Sequence, residues 1–362
     1  MFYHFLVPLT EYFSGFNIFR YITFRTAGAT ITALLICLIF GPIFIKWLQK
    51  KQIGEEIRVD GPQSHKKKAG TPTMGGIIIL TGIIVPTLLW ANLSNFYVLM
   101  CLLVTIWLGG LGYLDDYFKA IKKQKSGLVA RKKFAGQIVL GVIFALALVY
   151  LAPEGRYDGT TSIPFFKNFV FNLGILYIPW IVFVLTGTSN AVNLADGLDG
   201  LAIGLIGICF MAFTAIVYVT GRLDYSNYLQ IDYLPGTGEL TVFCGAVLGS
   251  ALGFLWFNSH PAQVFMGDTG SLALGGALGA IGILLKKELL LVIVGGVFVV
   301  TALSVIIQVL SYRYRGGKRV FKMAPLHHHF ELSGWHENKV VIRFWIMGAL
   351  CALLTLATLK IR

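Results

Sequence analysis

GTSNAVNLADGLDGL, residues 187–201, lies between two long apolar runs and carries almost no bulky charge except Asp196 and Asp199. Asn190, Asn193, Asp196 and Asp199 recur every three residues. On a helix the four would lie close together along one face. Gly197 and Gly200 permit a tight turn or a close ligand approach instead. Either way, amides and carboxylates are concentrated at the edge of an apolar slab, where polar groups are costly and are kept for use.

The slab is the rest of the chain. Of 362 residues, 56% are hydrophobic and 13% charged, with a mean hydropathy of +0.74. A soluble domain carries about 25% charged residues. The composition therefore specifies an integral membrane protein. Ten apolar runs read as spans: 27–45, 74–90, 97–114, 134–151, 170–186, 200–219, 240–257, 269–285, 289–311 and 340–359. Each is near the length of about 20 residues that a helix needs to cross the hydrocarbon core. Runs 74–90 and 269–285 are short and rich in glycine. Membrane strands would need ten-residue alternation, which is absent, so the fold class is all-α and polytopic. No internal repeat or soluble domain interrupts it, and residues 1–362 read as one integral membrane catalytic domain. Residues 1–25 are aromatic and mixed, and are expected at the interface before the first span. They do not form a clear signal peptide.

The net charge of +13 matters less than its placement. Most Lys and Arg fall in the loops after spans one, three and nine, including Lys68, Lys119, Lys133 and Arg319. The positive-inside rule puts those loops in the cytoplasm and both termini in the periplasm. Such loops also attract anionic membrane lipids, by about 1 kcal/mol per basic residue near the surface. Basic residues that punctuate spans are not a base-reading surface, so a nucleic-acid partner is excluded. The five cysteines lie in apolar runs without a CxxC pair and read as small buried hydrophobes. The loops expected at 187–199 and 258–268 carry almost no Lys or Arg and hold Asn and Asp instead.

Five polar clusters thus fall on one membrane face: KAGTPTMGG at 68–76, Asp115 with Asp116, the run from Asn190 to Asp199, NSHPAQVFMGDTGS at 258–271, and the 311–339 loop with His327, His328 and His329. Each has a plain structural reading. An Asp pair can be a solvated helix end, though adjacent helical residues point about 100° apart. Asp268 can be an N-cap, and the helix start it precedes can also offer free N–H groups to a phosphate. Phe265 can anchor its loop, and Gln308 can join two helices. Three consecutive histidines do not converge on one metal. The joint placement is the stronger signal. Clustered carboxylates repel unless a cation or proton intervenes. An oxygen-rich set without Cys favours Mg2+ or Mn2+ over zinc. Lys and His nearby suit a phosphate, and the sum implies phosphoryl chemistry with one lipid partner.

Taken together, GTPTMGG at 70–76, LDD at 114–116, SNAVNLADGLDGLA at 189–202, FMGDTGS at 265–271 and APLHHHFE at 324–331 resemble the phospho-N-acetylmuramoyl-pentapeptide-transferase family over essentially the whole chain. The Asp motifs are shared with other polyprenyl-phosphate sugar-1-phosphate transferases, while GTPTMGG and the triple His point to this branch. The resemblance implies a Mg2+-dependent, ten-spanning homodimer of the bacterial inner membrane, its site facing the cytoplasm. It implies attack by undecaprenyl phosphate on UDP-N-acetylmuramoyl-pentapeptide, the first membrane step of peptidoglycan synthesis. By the same resemblance Asp268 would hold Mg2+, and Asp115 and Asp116 would position the lipid phosphate or the metal. Asn190, Asn193, Asp196 and Asp199 would line the nucleotide and diphosphate region, and Phe265 would stack on uracil. Lys68, Thr73, Lys133 and Gln308 would support substrate, and His327, His328 and His329 would bind diphosphate or hold their loop. It also implies a broken ninth span, for which Gly295 and Gly296 give permission. The alternatives are a relative using UDP-N-acetylhexosamine, and a secondary transporter, which would keep its polar residues near mid-span.

Overall fold

A computed structural model describes residues 1–51, 70–124, 127–153, 159–165 and 170–360. In chain order the helices are α1 (Phe2–Leu6), α2 (Ile22–Lys50), α3 (Gly76–Trp90), α4 (Phe96–Ala120), α5 (Ala130–Leu151), α6 (Tyr177–Ala195), α7 (Leu201–Thr220), α8 (Leu223–Leu229), α9 (Leu240–Asn258), α10 (Gly267–Leu284), α11 (Leu290–Val294), α12 (Gly296–Tyr314), α13 (Leu326–Glu331) and α14 (Glu337–Ala357). Two short antiparallel strands, β1 (Thr160–Ser162) and β2 (Val170–Asn172), pair between α5 and α6. Among the described residues, nine helices are long and apolar enough to cross a membrane, and α3 is a shorter apolar helix.

All ten apolar runs of the sequence meet a helix, with three adjustments. The run 170–186 begins as strand β2, and the helix starts only at Tyr177. Gly174 takes φ +51, and the Asn172 side chain accepts its N–H, so the chain turns before the helix begins. That helix then continues to Ala195, through residues expected to form a loop. Its polar side chains are satisfied by neighbouring helices, as described below, so nothing forces it to end at 186. The run 289–311 is divided at Gly295 into α11 and α12, and the Gly295 N–H bonds back to Leu291. Helix α3 has 15 residues, about 22 Å at 1.5 Å per residue, against a hydrocarbon core of about 30 Å.

The passes alternate, so the C-terminal ends of α4, α6, α9 and α12 share a face with the N-terminal ends of α3, α5, α7, α10 and α14. The opposite face is closed by structure. Arg25 on α2 pairs with Glu239 just before α9, and both are buried. Glu239 also accepts the Asn92 N–H at 2.7 Å, so the buried charge is paired and hydrogen-bonded. Phe2, Phe19 and Phe24 pack around Trp90, which keeps the aromatic N-terminal segment against the bundle.

Helix α10 is the axis of the bundle. It packs between α4 and α6, and every residue from 269 to 284 is buried. Glycine makes this possible. A Cβ on Gly276 would lie 2.1 Å from Leu108 Cδ1, and one on Gly275 would lie 2.6 Å from the Thr188 carbonyl. Small residues let the backbones approach where no hydrophobic effect separates protein from lipid. By contrast α2, α5, α12 and α14 leave most of their surface open, with residues such as Ile39, Leu146, Val309 and Leu353 outward.

Candidate active site

Three carboxylates meet where α4 ends and α10 begins. Asp115, Asp116 and Asp268 each offer an oxygen within 4.8 Å of the others. Asp115 and Asp116 are 2% and 4% exposed, so neither is a solvated helix end. Gly112 sets the approach: a Cβ there would lie 2.1 Å from the Asp268 carbonyl oxygen. The two helix backbones therefore touch one turn before the aspartates.

The adjacent pair diverges as helical geometry requires, and the two do different things. Asp116 faces the first turn of α10. Its Oδ1 accepts the Asp268 N–H at 3.0 Å. Its Oδ2 accepts the Thr269 N–H at 2.9 Å and the Thr269 hydroxyl at 2.6 Å. Asp116 thus caps α10 from another helix, satisfying N–H groups that have no intrahelical partner. The sequence allows that role for Asp268, as the plain alternative to holding a metal. With the cap supplied by Asp116, the Asp268 side chain is left for the site.

Asp268 is held from three elements. Its Oδ2 takes the Lys133 ammonium of α5 at 2.7 Å and the Lys119 ammonium of α4 at 3.1 Å. Its Oδ1 accepts the Asn193 amide of α6 at 2.6 Å, and that amide also reaches Ser271 Oγ at 2.8 Å. Asp115 faces Lys119 through Oδ2 at 2.5 Å, and through Oδ1 accepts the Leu128 N–H at 2.7 Å. The donor set is oxygen only, which fits a hard divalent cation. Lys119, which the sequence shows only as one of a basic run, lies in the last turn of α4. Its signal was its position four residues after Asp115, on the same helix face.

The remaining candidates divide. The three-residue repeat from Asn190 does not form one face, because the helix ends at Ala195 and the chain turns through Gly200 at φ +77. Asn193 joins Asp268. Asn190 lies one turn behind, its amide donating to Gln137 Oε1 at 3.0 Å and the Thr186 carbonyl at 2.8 Å, a link between α6 and α5. Asp196 caps the end of α6. Asp199 belongs to a second cluster with His260 and Glu337; neither of those partners was singled out from the sequence, although His260 lies in the NSHPAQVFMGDTGS stretch.

Thr73 is buried in a loop paired to the segment before α10. The Phe265 N–H bonds Pro72, the Gly75 N–H bonds Phe265 and the Gly76 N–H bonds Met266, each at 2.8 Å. Phe265 itself is half-buried. Lys68 lies outside the described residues. Gln308 fastens the loop after α12: its Oε1 accepts the Val320 and Phe321 N–H groups, and its Nε2 donates to the Phe321 carbonyl. The loop leads to α13 and the three histidines. His327 is fully buried, His328 Nδ1 pairs with Glu331 at 2.8 Å, and His329 Nδ1 accepts the Lys322 N–H. They face different partners, as consecutive helical positions must. A Cβ on Gly197 would lie 2.3 Å from His327 Nε2 and 3.3 Å from His328 Nε2, so α13 docks on the 196–200 turn.

The model of glycosyl transferase family 4 matches residues 98–286, a stretch that holds all three clustered aspartates. The first signature of phospho-N-acetylmuramoyl-pentapeptide-transferase matches residues 68–80. The phospho-N-acetylmuramoyl-pentapeptide-transferase of Desulforapulum autotrophicum is 54% identical over 362 residues, covering all of both chains. Those of Thermodesulfovibrio yellowstonii and Desulfotalea psychrophila are 51% and 54% identical, again covering all of both chains. The chain belongs to the phospho-N-acetylmuramoyl-pentapeptide-transferase family. Membership in this transferase family makes it an enzyme and a multi-pass protein of the bacterial inner membrane, and sets the transporter alternative aside.

Proposed function

We propose that the cluster of Asp115, Asp116 and Asp268 is where the protein performs the reaction its family is named for. Phospho-N-acetylmuramoyl-pentapeptide passes from its UDP carrier to undecaprenyl phosphate, giving undecaprenyl-diphospho-N-acetylmuramoyl-pentapeptide and UMP. The observation that carries this reading is Asp268, fixed by Lys119, Lys133 and Asn193 beside two further buried carboxylates.

The all-oxygen set suits Mg2+, with Asp268 as its principal ligand and Asp115 beside it. Bound there, Mg2+ would neutralise charge on the diphosphate. Lys119 and Lys133 offset the same charge from the protein side. A phosphate monoester has its second pKa near about 6 and is largely dianionic at neutral pH. It needs little help from a general base, and its obstacle is repulsion by an anionic diphosphate. We therefore favour direct attack by the lipid phosphate on the β-phosphate. The cap supports this, because all three of its hydrogen bonds occupy Asp116, and covalent use of that carboxylate would cost the start of α10. An adduct trapped on Asp115 or Asp116 would overturn direct attack.

In this reading Asn193, Asp196 and Asp199 line the nucleotide and diphosphate region, with Asn190 behind them, and Phe265 stacks on uracil. Lys68, Thr73 and Gln308 support the substrate, and His327, His328 and His329 hold diphosphate or their own loop. The site faces the cytoplasm with both termini periplasmic, supported by the basic loops, and the enzyme works as a homodimer, supported by the family resemblance. The test is transfer by the purified protein, with UDP-N-acetylmuramoyl-pentapeptide and undecaprenyl phosphate, in Mg2+ or EDTA. Metal-dependent UMP release with the matching lipid product is expected. Turnover of UDP-N-acetylglucosamine alone would overturn the substrate.

A further inference from the structure

A second polar cluster lies apart from the three aspartates. Asp199 and Glu337 are 4% and 7% exposed and come from separate segments, the turn after α6 and the first residue of α14. Both turn an oxygen toward one nitrogen: His260 Nδ1 is 3.0 Å from Asp199 Oδ2 and 3.5 Å from Glu337 Oε2. The His260 side chain is itself 30% exposed. Backbone groups complete the knot. The Ala262 N–H donates to Asp199 Oδ2 at 3.2 Å, and the Asp199 N–H donates to Glu337 Oε1 at 3.0 Å. Next to it, the Gly200 N–H donates to Asn258 Oδ1 at 3.1 Å, and the Asn258 amide donates to the Val264 carbonyl at 2.9 Å.

Buried carboxylates are costly unless paired and hydrogen-bonded. Here the imidazole is the group that faces both. The Ala262 and Asp199 N–H groups are directed at Asp199 Oδ2 and Glu337 Oε1, and the imidazole joins the two carboxylates. The three segments it joins matter more than its composition. The 196–200 turn receives α13 at Gly197. The 259–266 loop carries Phe265 and leads to Asp268. Helix α14 reaches both through Glu337, its first residue.

We infer that His260 is a positioning residue for the nucleotide end of the site: through Nδ1 it clamps the 196–200 turn and the start of α14 to the loop that carries Phe265. The inference rests on the reading that Asp199 and Phe265 serve the nucleotide. The clamp sets their separation before substrate arrives. It does not reach the cluster of Asp115, Asp116 and Asp268, so its loss weakens capture of the UDP-linked substrate and leaves the chemical step alone.

The experiment uses the full-length enzyme with His260→Ala, His260→Asn and His260→Gln. The Asn amide nitrogen stands where Nδ1 stands, while the Gln amide reaches the Nε2 position. For His260→Ala we expect a rise of roughly tenfold to a hundredfold in KM for UDP-N-acetylmuramoyl-pentapeptide. The kcat and the KM for undecaprenyl phosphate should be little changed, the pattern of lost uniform binding. His260→Asn should recover most of the affinity and His260→Gln should not, a contrast that stands even if the Ala variant fails to fold. Unchanged KM values, parallel losses in both KM values and kcat, or equal behaviour of Asn and Gln would overturn the clamp. Stimulation of the wild type by Zn2+ that is lost in His260→Ala would replace it with a metal site. A wild type that does not turn over the UDP substrate would overturn the transferase reading and the clamp with it, whereas active but indifferent variants overturn the clamp alone.

Discussion

Asp116 and Asp268 are neighbours in one cluster, yet their replacement should have different signatures. Asp268→Asn removes the group that Lys119, Lys133 and Asn193 surround, so transfer activity should be lost with little change in thermal unfolding. Asp116→Asn disturbs the cap of α10, and loss of a cap costs about 1 kcal/mol; activity and Tm should fall together. Side-by-side unfolding and UMP-release assays check the contrast, and equal Tm losses would refute it. Gly112→Ala tests the approach of the two helices. Its methyl group has no room beside the Asp268 carbonyl, and a shift of about 1 Å at reacting groups can cost about a hundredfold in rate. At this scale the sequence marks residues that the structure brings together, and not what each one touches. The Asp pair, Asp268 and Asn193 are legible because polar groups at the edge of apolar runs are rare. That Asp116 caps another helix depends on which neighbour it faces, which no local pattern encodes. Lys119 is hidden among other basic residues, and His260 has no periodicity to mark it.

Among the elements, apolar runs locate every span, since crossing a bilayer imposes a length that local chemistry must meet. Their edges are less legible. Residues 170–172 are apolar enough to read as helix yet form a strand, the usual ambiguity of a short apolar run. Residues 187–195 are polar enough to read as a loop yet stay helical, because their hydrogen-bond partners lie on α5 and α10. The strand pair is fastened by Glu288, which accepts the hydroxyls of Thr161 at 2.5 Å and Tyr177 at 2.6 Å. Burial pushes the Glu288 carboxyl above its ordinary range. The folded state therefore binds this proton more tightly than the unfolded chain does. Its contribution is fully present below the unfolded pKa and is lost as pH rises through the folded one. Wild-type Tm should accordingly fall more than that of Glu288→Gln as pH is raised from about 5 to about 8. Parallel Tm profiles would show that the carboxyl stays ionised. Gln308→Ala should loosen the loop before α13, seen as faster amide exchange at Val320 and Phe321, the two N–H groups it accepts.

For the whole molecule, the alternation of the described passes puts the end of α4, the start of α10 and the loop after α12 on one face, and the proposed orientation has a direct check. Alkaline phosphatase fused after Arg362 should be active and a fluorescent protein fused there should be dark if the proposed orientation, with both termini periplasmic, holds. The reverse pattern would put the site outside.

The burial of α10 has a mechanical consequence. Residues 269 to 284 touch protein on all sides, and the short helix α3 packs on it. Helix α10 is thus enclosed by protein, while α2, α5, α12 and α14 leave most of their surface open to the surroundings. Hydrophobic mismatch acts on the helices that lipid touches, which tilt to absorb it. A change of membrane thickness should therefore reach α10 last: lengthening the acyl chains of a reconstituted bilayer should alter the tilt of the outer helices before it alters kcat.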